Sequence, residues 1–322
     1  MRIVVFGAGA IGGVLGARLF ENGQDVVLVA RGEHYEAMRA HGLRVETPMG
    51  HTVCEVPVVD SPLGVHWGDD DVVVLAMKTQ DVVAALASLA EAGASGVPVV
   101  CAQNGVESER MALRMSDDVY GVCVMCPAAH LRPGAVQAFS LPSPGILDVG
   151  RYPSGSDRVA EAVAGAFRAA TFHAEARPDI MRWKYTKLLM NLGNAAEALC
   201  GPSARLSEIA RLARAEGIAV LTAAGIDFVS DDAFVERRGD LIRPQDIGGD
   251  PRPGGSSWQS LQRGTGRIEA DYLNGEIALL GRLHGVPTPA NDILQRSANE
   301  AAWRGRPPGS TSADQLLAGL GH

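Results

Sequence analysis

The sequence predicts an α/β domain followed by an all-helical one. Up to about residue 178, short apolar runs of strand type alternate with amphipathic stretches; beyond it the strand runs stop and only helical periodicity continues. A third observation marks the junction: in ARPDI, Pro178 biases Arg177 away from helix, and Asp179 or a nearby residue can cap the next helix. The expected domains are therefore residues 1–178 and 179–322.

RIVVF (2–6) reads as a short buried strand, residues 10–22 as a helix stopped at Gly23, and DVVLVA (25–30) as a second strand. DVVVLAMK (71–78), VPVVCAQ (97–103) and VYGVCVMC (119–126) continue the strand series, with helical QDVVAALASLAEAG and ESERMALRM between them. Such alternation implies a parallel sheet covered on both faces. In the second half, residues 179–201, 207–225, 266–285 and 289–303 are helical, the last opened by Thr288 as cap and Pro289 in the first turn. GDLIRPQDIGGDPRPGG (239–255) is rich in Gly and Pro and reads as a long loop, either a lid or a connector.

Composition narrows the function classes. With 46% apolar and 20% charged residues the chain has an ordinary globular balance, and a net charge of −8 argues against nucleic acid or an anionic membrane as partner. The opening MRIVVFGAGAIGG lacks the pattern of a secretory signal, and no apolar run approaches the roughly 18 residues of a membrane helix, so the expectation is a cytoplasmic protein. Five cysteines suit reduced thiols; Cys123 and Cys126 form a CxxC inside a strand-like run, where packing rather than redox or metal chemistry is expected. No metal site is expected.

Gly7-Ala8-Gly9-Ala10-Ile11-Gly12 follows a strand and opens a helix. There the first glycine permits a tight turn, the second lets backbone approach a pyrophosphate, and the third lets helix and strand pack closely. This is the arrangement of a Rossmann dinucleotide-binding domain. The second strand ends in VARG, where an acidic residue would accept from a ribose 2′-hydroxyl; Arg31 instead suits a 2′-phosphate and favours NADPH over NADH. The competing reading leaves Arg31 as a solvated loop arginine, with Glu33 close by.

Lys78, Gln103 and Asn104 end two further strand runs, at the sheet edge where ligands of open α/β sheets bind. In KLLMNLGN, Lys187, Asn191 and Asn194 stand four and three residues apart, on one side of an otherwise greasy helix. A polar stripe on a buried helix either faces a small polar molecule or is spent on backbone and water. An ammonium there fits reduction of a ketone, since hydride arriving at the carbonyl carbon makes the oxygen basic.

GAGAIG near residue 7, KTQ at 78–80, QNG at 103–105, WKYTKLLMN at 183–191, SSW at 256–258 and IEADYLNG at 268–275 together resemble the ketopantoate reductases (2-dehydropantoate 2-reductases) along nearly the whole chain. The resemblance implies an NADP-dependent oxidoreductase acting on a CH-OH group, which reduces 2-dehydropantoate to pantoate on the way to coenzyme A. It makes Lys187 the general acid and Asn191 a substrate-binding asparagine. It sets Asn104 near nicotinamide and substrate, and Lys78 on the cofactor side. It assigns Ser257 to the substrate carboxylate, and Glu269 to a substrate hydroxyl and to the orientation of Lys187. The resemblance also implies a second asparagine eight residues after the lysine; that place is Ala195, and Asn194 stands one residue sooner. This shift keeps other 2-keto acids or imines open as substrates, and a non-catalytic NADP(H)-binding regulator is the reading from another class. Asp271 and Glu276 are expected to be solvated, and His130, His173 and His284 to take no part in catalysis. The helical half offers surface for a homodimer.

Overall fold

The computed structural model describes residues 1–321. Contacts divide the chain into two units, one of Met1–Lys184 with Asp231–Arg252, the other of Tyr185–Ser230 with the residues from Pro253 onward. The chain opens with β1 (Arg2–Phe6), α1 (Ala10–Glu21), β2 (Val26–Val29) and α2 (Gly32–His41). A hairpin of β3 (Leu43–Thr47) and β4 (Gly50–Cys54) and a short β5 (Val58–Val59) come next. The alternation continues through β6 (Asp71–Leu75), α3 (Val82–Glu91), β7 (Val99–Cys101), α4 (Ser108–Leu113) and β8 (Val119–Met125). Then β9 (Ala128–Arg132), β10 (Ala135–Ala138), β11 (Ser140–Pro142) and β12 (Ile146–Arg151) lead into α5 (Arg158–Ala169).

Seven strands form one sheet in the order β12-β8-β7-β6-β1-β2-β5, parallel except for β12, which runs antiparallel to β8. The continuous apolar strands reflect cover on both faces. Along β1, Ile3 and Val5 join the cluster that holds Val14 and Leu15 of α1 and Phe167 of α5, whereas Val4 and Phe6 join the one that holds Val82 and Leu86 of α3. The expected parallel sheet is thus present. A second sheet, β4-β3-β10-β9, has no counterpart in the apolar pattern, because β4 is exposed at its first four positions.

The remaining elements are α6 (Ile180–Asn191), α7 (Asn194–Cys200), α8 (Glu208–Ala223), α9 (Asp231–Arg238), β13 (Ile242–Pro244), α10 (Ser256–Gln262), α11 (Asn274–His284), α12 (Pro289–Trp303) and α13 (Ala313–Ala318). The second unit is helical, as expected. Asn274 Nδ2 donates to Leu192 O at 3.0 Å and to Asn291 Oδ1 at 3.0 Å, and Asn291 Nδ2 donates to Ala213 O at 2.8 Å. These bonds join the segment after α6 to α8, α11 and α12. Thr288 precedes α12 as expected, but its hydroxyl donates to Asp292; the free N–H groups of Ala290 and Asn291 are satisfied by Glu216, at 2.8 and 3.0 Å.

By contacts, residues 179–184 and 231–252 group with the first unit. One expectation needs correction. The stretch expected to be a loop contains β13, which pairs antiparallel with β11. The cause is a fully buried carboxylate: Asp148 on β12 accepts from Arg177 Nε at 2.8 Å and, 89 residues along, from Arg237 of α9 at 2.8 and 2.7 Å. Removing one partner of a buried pair leaves uncompensated charge. Asp148→Ala is therefore expected to cost about 3–5 kcal/mol, measured by chemical denaturation against the parent chain.

Candidate active site

The glycine turn sits at the carboxyl end of β1. Gly7 has φ +101°, and a Cβ there would lie 2.7 Å from Met77 N; at Gly12 it would lie 2.1 Å from Gly7 O and 2.9 Å from Ala76 Cβ. Those two positions exclude a side chain because the backbone itself occupies the space. Gly9 differs. Beyond its chain neighbours and its own helix backbone, a Cβ there would meet, among the described residues, only His130 Nδ1, at 3.8 Å, so internal packing does not require glycine. Gly9 caps α1, whose first turn holds no acidic residue and receives no side-chain cap. Open backbone and unsatisfied helix N–H groups fit a diphosphate, with Ala8, Ala10 and Ile11 supplying the rest of the turn.

Adjacent strands carry the other candidates of this unit. Gly7 N and Ala8 N both donate to Val29 O at the end of β2, at 3.0 and 3.3 Å. Two residues on, Arg31 caps α2 with its side chain exposed, and among the described residues it makes no ion pair with a carboxylate. Lys78 and Asn104, both half-buried, come just after the ends of β6 and β7. Gln103 stitches those ends together, donating from Nε2 to Leu75 O at 2.7 Å and Met77 O at 3.1 Å. Its own carbonyl accepts from Lys184 Nζ at 3.0 Å, and Lys184 is paired at 2.5 Å with Glu109 inside the core. Burial pushes the Glu109 carboxyl upward, and the Lys184 ammonium opposes it. Gly121 makes room, since a Cβ there would come within 3.0 Å of Glu109 Oε1 and 3.1 Å of Lys184 Cδ. The strand order β2-β1-β6-β7 thus gathers Arg31, the glycine turn, Lys78 and Asn104 at one edge of the sheet.

In the second unit, Lys187 is half-buried on α6, and Asn191, one turn later, is 3% exposed. Its amide Nδ2 is buried without a hydrogen-bond partner among the described residues. An unsatisfied buried donor costs about 1–3 kcal/mol, so this one needs a reason to persist. Asn194 is not the next rung of the stripe, because α6 ends at Asn191 and Asn194 begins α7. Its Oδ1 accepts from Arg205 Nη1 at 2.5 Å. Arg205 also pairs with Glu197 at 2.7 Å, and the other oxygen of Glu197 accepts from Gly255 N, the cap of α10, at 2.7 Å. Asn194 therefore helps to anchor the helix on which Ser257 is buried.

Glu269 is 4% exposed and stands not within a long helix but at the start of a 3-10 turn, Glu269–Tyr272, that precedes α11. Asp271 is exposed as expected, whereas Glu276 is buried in the first turn of α11, where a carboxylate complements the helix dipole. All five cysteines are free thiols; Cys123 is buried in β8, and Cys126 lies just past the end of that strand.

The ketopantoate reductase PanE/ApbA family matches residues 3–154, and the C-terminal domain described for the same enzymes matches residues 179–301. The chain belongs to the ketopantoate reductase family. A 2-dehydropantoate 2-reductase of Archaeoglobus fulgidus is 31% identical over 302 residues, covering 91% of this chain and 95% of that one. Among solved structures, a PanE/ApbA family ketopantoate reductase of Ralstonia eutropha JMP134 matches with a TM-score of 0.79 at 28% identity, over 95% of this chain and all of that one. D-mandelate dehydrogenase, solved with NADH and anilino(oxo)acetate, shares the fold with a TM-score of 0.76 at 22% identity, over 98% and 100% of the two chains.

Within the ketopantoate reductase frame, the residues that sequence reasoning misses are those that hold the candidates in place. Gln103 reads in the sequence only as a strand end, and Lys184, Glu109, Glu197 and Arg205 carry no signal of their own. Most act on a residue far along the chain, 81 positions away for the Lys184–Gln103 bond and 58 for Glu197–Gly255, whereas Arg205 reaches Asn194 and Glu197 only 11 and 8 positions away.

Proposed function

We propose that this chain is an NADPH-dependent reductase of a small 2-keto acid, with 2-dehydropantoate as substrate and pantoate as product. The reading is carried by two side chains one turn apart on α6, the half-buried Lys187 and the buried Asn191, whose amide has no acceptor among the described residues. A substrate oxygen would satisfy that donor. The turn from Gly7 to Gly12 holds the cofactor diphosphate, with Arg31 at the 2′-phosphate and Lys78 and Asn104 toward the reacting end. NADPH, when bound, supplies the hydride for the keto carbon. Lys187 delivers the proton to the carbonyl oxygen, and Glu269 keeps that ammonium charged and oriented. Asn104, Asn191 and Ser257 fix the pose of the acid.

A second reading, another 2-keto acid or an imine, is favoured by one observation. Asn194 Oδ1 accepts from Arg205, and the position eight residues after Lys187 is Ala195, so no amide stands at the second place that the resemblance implies. Steady-state loss of NADPH absorbance with a panel of 2-keto acids separates the readings: 2-dehydropantoate should give the highest kcat/KM, and a clear preference for another acid moves the assignment to that substrate. The cofactor reading has its own test. Arg31→Ala should raise KM for NADPH about 10–100-fold, as expected for lost charge-assisted bonds, and leave NADH unchanged; an equal loss for both cofactors removes Arg31 from the phosphate site.

A further inference from the structure

His34 stands in the first turn of α2, three residues after Arg31, and its ring is bonded on both sides. Nε2 lies 2.7 Å from Ala8 O, and Nδ1 lies 2.9 Å from the amide nitrogen of Gly134, in the turn between β9 and β10. A carbonyl can only accept and a peptide N–H can only donate, so the ring is neutral and carries its proton on Nε2. Burial holds its pKa below the ordinary imidazole value, and the bond to Ala8 opposes that shift. His130 of β9 packs against the ring with centroids 4.2 Å apart, and it is also the side chain that a Cβ at Gly9 would meet, at 3.8 Å.

The bond to Ala8 O bears on the ligand side of the turn. Ala8 C=O and Gly9 N–H share one planar trans peptide and point in opposite directions. Pinning the carbonyl therefore aims the Gly9 N–H, which has no protein acceptor among the described residues. We propose that His34 is a positioning residue for the dinucleotide: through its Nε2–H it fixes the Ala8–Gly9 peptide so that the Gly9 amide is presented to the cofactor diphosphate. Through Gly134 it braces the turn against the second sheet, and through α2 it ties the diphosphate end of the cradle to Arg31. This inference rests on the proposed occupancy of the glycine turn by a nicotinamide dinucleotide.

The test uses the full chain. NADPH binding is titrated by its fluorescence for the parent protein, His34→Ala and His34→Gln, each with its melting temperature in the absence of cofactor. The imidazole 15N resonances of the cofactor-free parent are recorded at neutral pH, with His34 assigned by its loss in the variants. Expected are a neutral His34 protonated on Nε2, binding weakened about tenfold in His34→Ala, and most of it regained in His34→Gln, whose amide offers both a donor and an acceptor. Parent-like binding by His34→Ala overturns the inference alone, as does an imidazolium or Nδ1–H form of His34 in the parent, a result that needs no variant to fold. Failure of the parent to bind NADPH or NADH overturns the dinucleotide reading, and the inference with it.

Discussion

Lys187→Ala should lower kcat by roughly 10²–10⁴-fold, the range associated with loss of a positioned general acid, while the NADPH dissociation constant changes by less than about twofold. The asymmetry arises from where the charge develops. In the proposed mechanism the carbonyl oxygen needs a proton only as the hydride arrives, so the Lys187 ammonium would stabilise the transition state far more than the bound ground state. The proposed cofactor contacts, the glycine turn, Arg31, Lys78 and Asn104, lie on other elements of the chain. Stopped-flow reduction with saturating keto acid, together with a fluorescence titration of NADPH, measures the two quantities separately. Unchanged turnover would remove Lys187 from the chemistry, and a parallel loss of cofactor binding would make it a structural residue.

Gly12→Ala should be nearly as damaging, and by a different route. The added Cβ would lie 2.1 Å from Gly7 O and 3.0 Å from Val5 Cγ1, so β1 and α1 must separate. Overpacking of this kind costs about 1–3 kcal/mol or more of stability, and the displaced turn should lose cofactor affinity by at least about a hundredfold. Gly9→Ala is the matched control. Beyond its chain neighbours and its own helix backbone, its methyl would meet, among the described residues, only His130, at 3.8 Å, so the melting temperature should hold while NADPH binding falls. Equal destabilisation by both variants would mean that Gly9 serves packing and not a ligand.

The parts of the fold legible in the sequence are those set by local rules. RIVVF, DVVVL and VYGVCVM are apolar almost throughout because both faces of their sheet are covered, and the glycine turn shows because backbone contacts forbid side chains at Gly7 and Gly12. The second sheet is hidden because GHTVC in β4 is mostly exposed. The return of α9 and β13 to the first unit is hidden because it depends on Asp148 and Arg237, far apart in sequence and both ordinary surface-type residues when read singly.

The site shows the same division. Lys187 and Asn191 lie one turn apart on a single helix, so their spacing predicts their common face. Asn194 fails that rule at Gly193. The chain passes Arg205 there so closely that a Cβ at 193 would stand 2.9 Å from its carbonyl, and the next helix begins with the asparagine turned to the Arg205 guanidinium. The glycine is the available signal, and helical periodicity masks it. Glu269 escapes for a related reason: Gly264 and Gly266, at φ +61° and +72°, break the periodic segment before it, so the residue enters on a turn and not along a helix face.

The most direct measurement tracks the hydride itself. The protein is incubated with 2-dehydropantoate and NADPH deuterated at the transferable position of nicotinamide C4, and the product is analysed by mass spectrometry. The account predicts pantoate carrying one deuterium on the new carbinol carbon, formed in step with NADPH consumed. Recovery of unreduced keto acid beside bound, unoxidised NADPH, with other 2-keto acids equally inert, would contradict it.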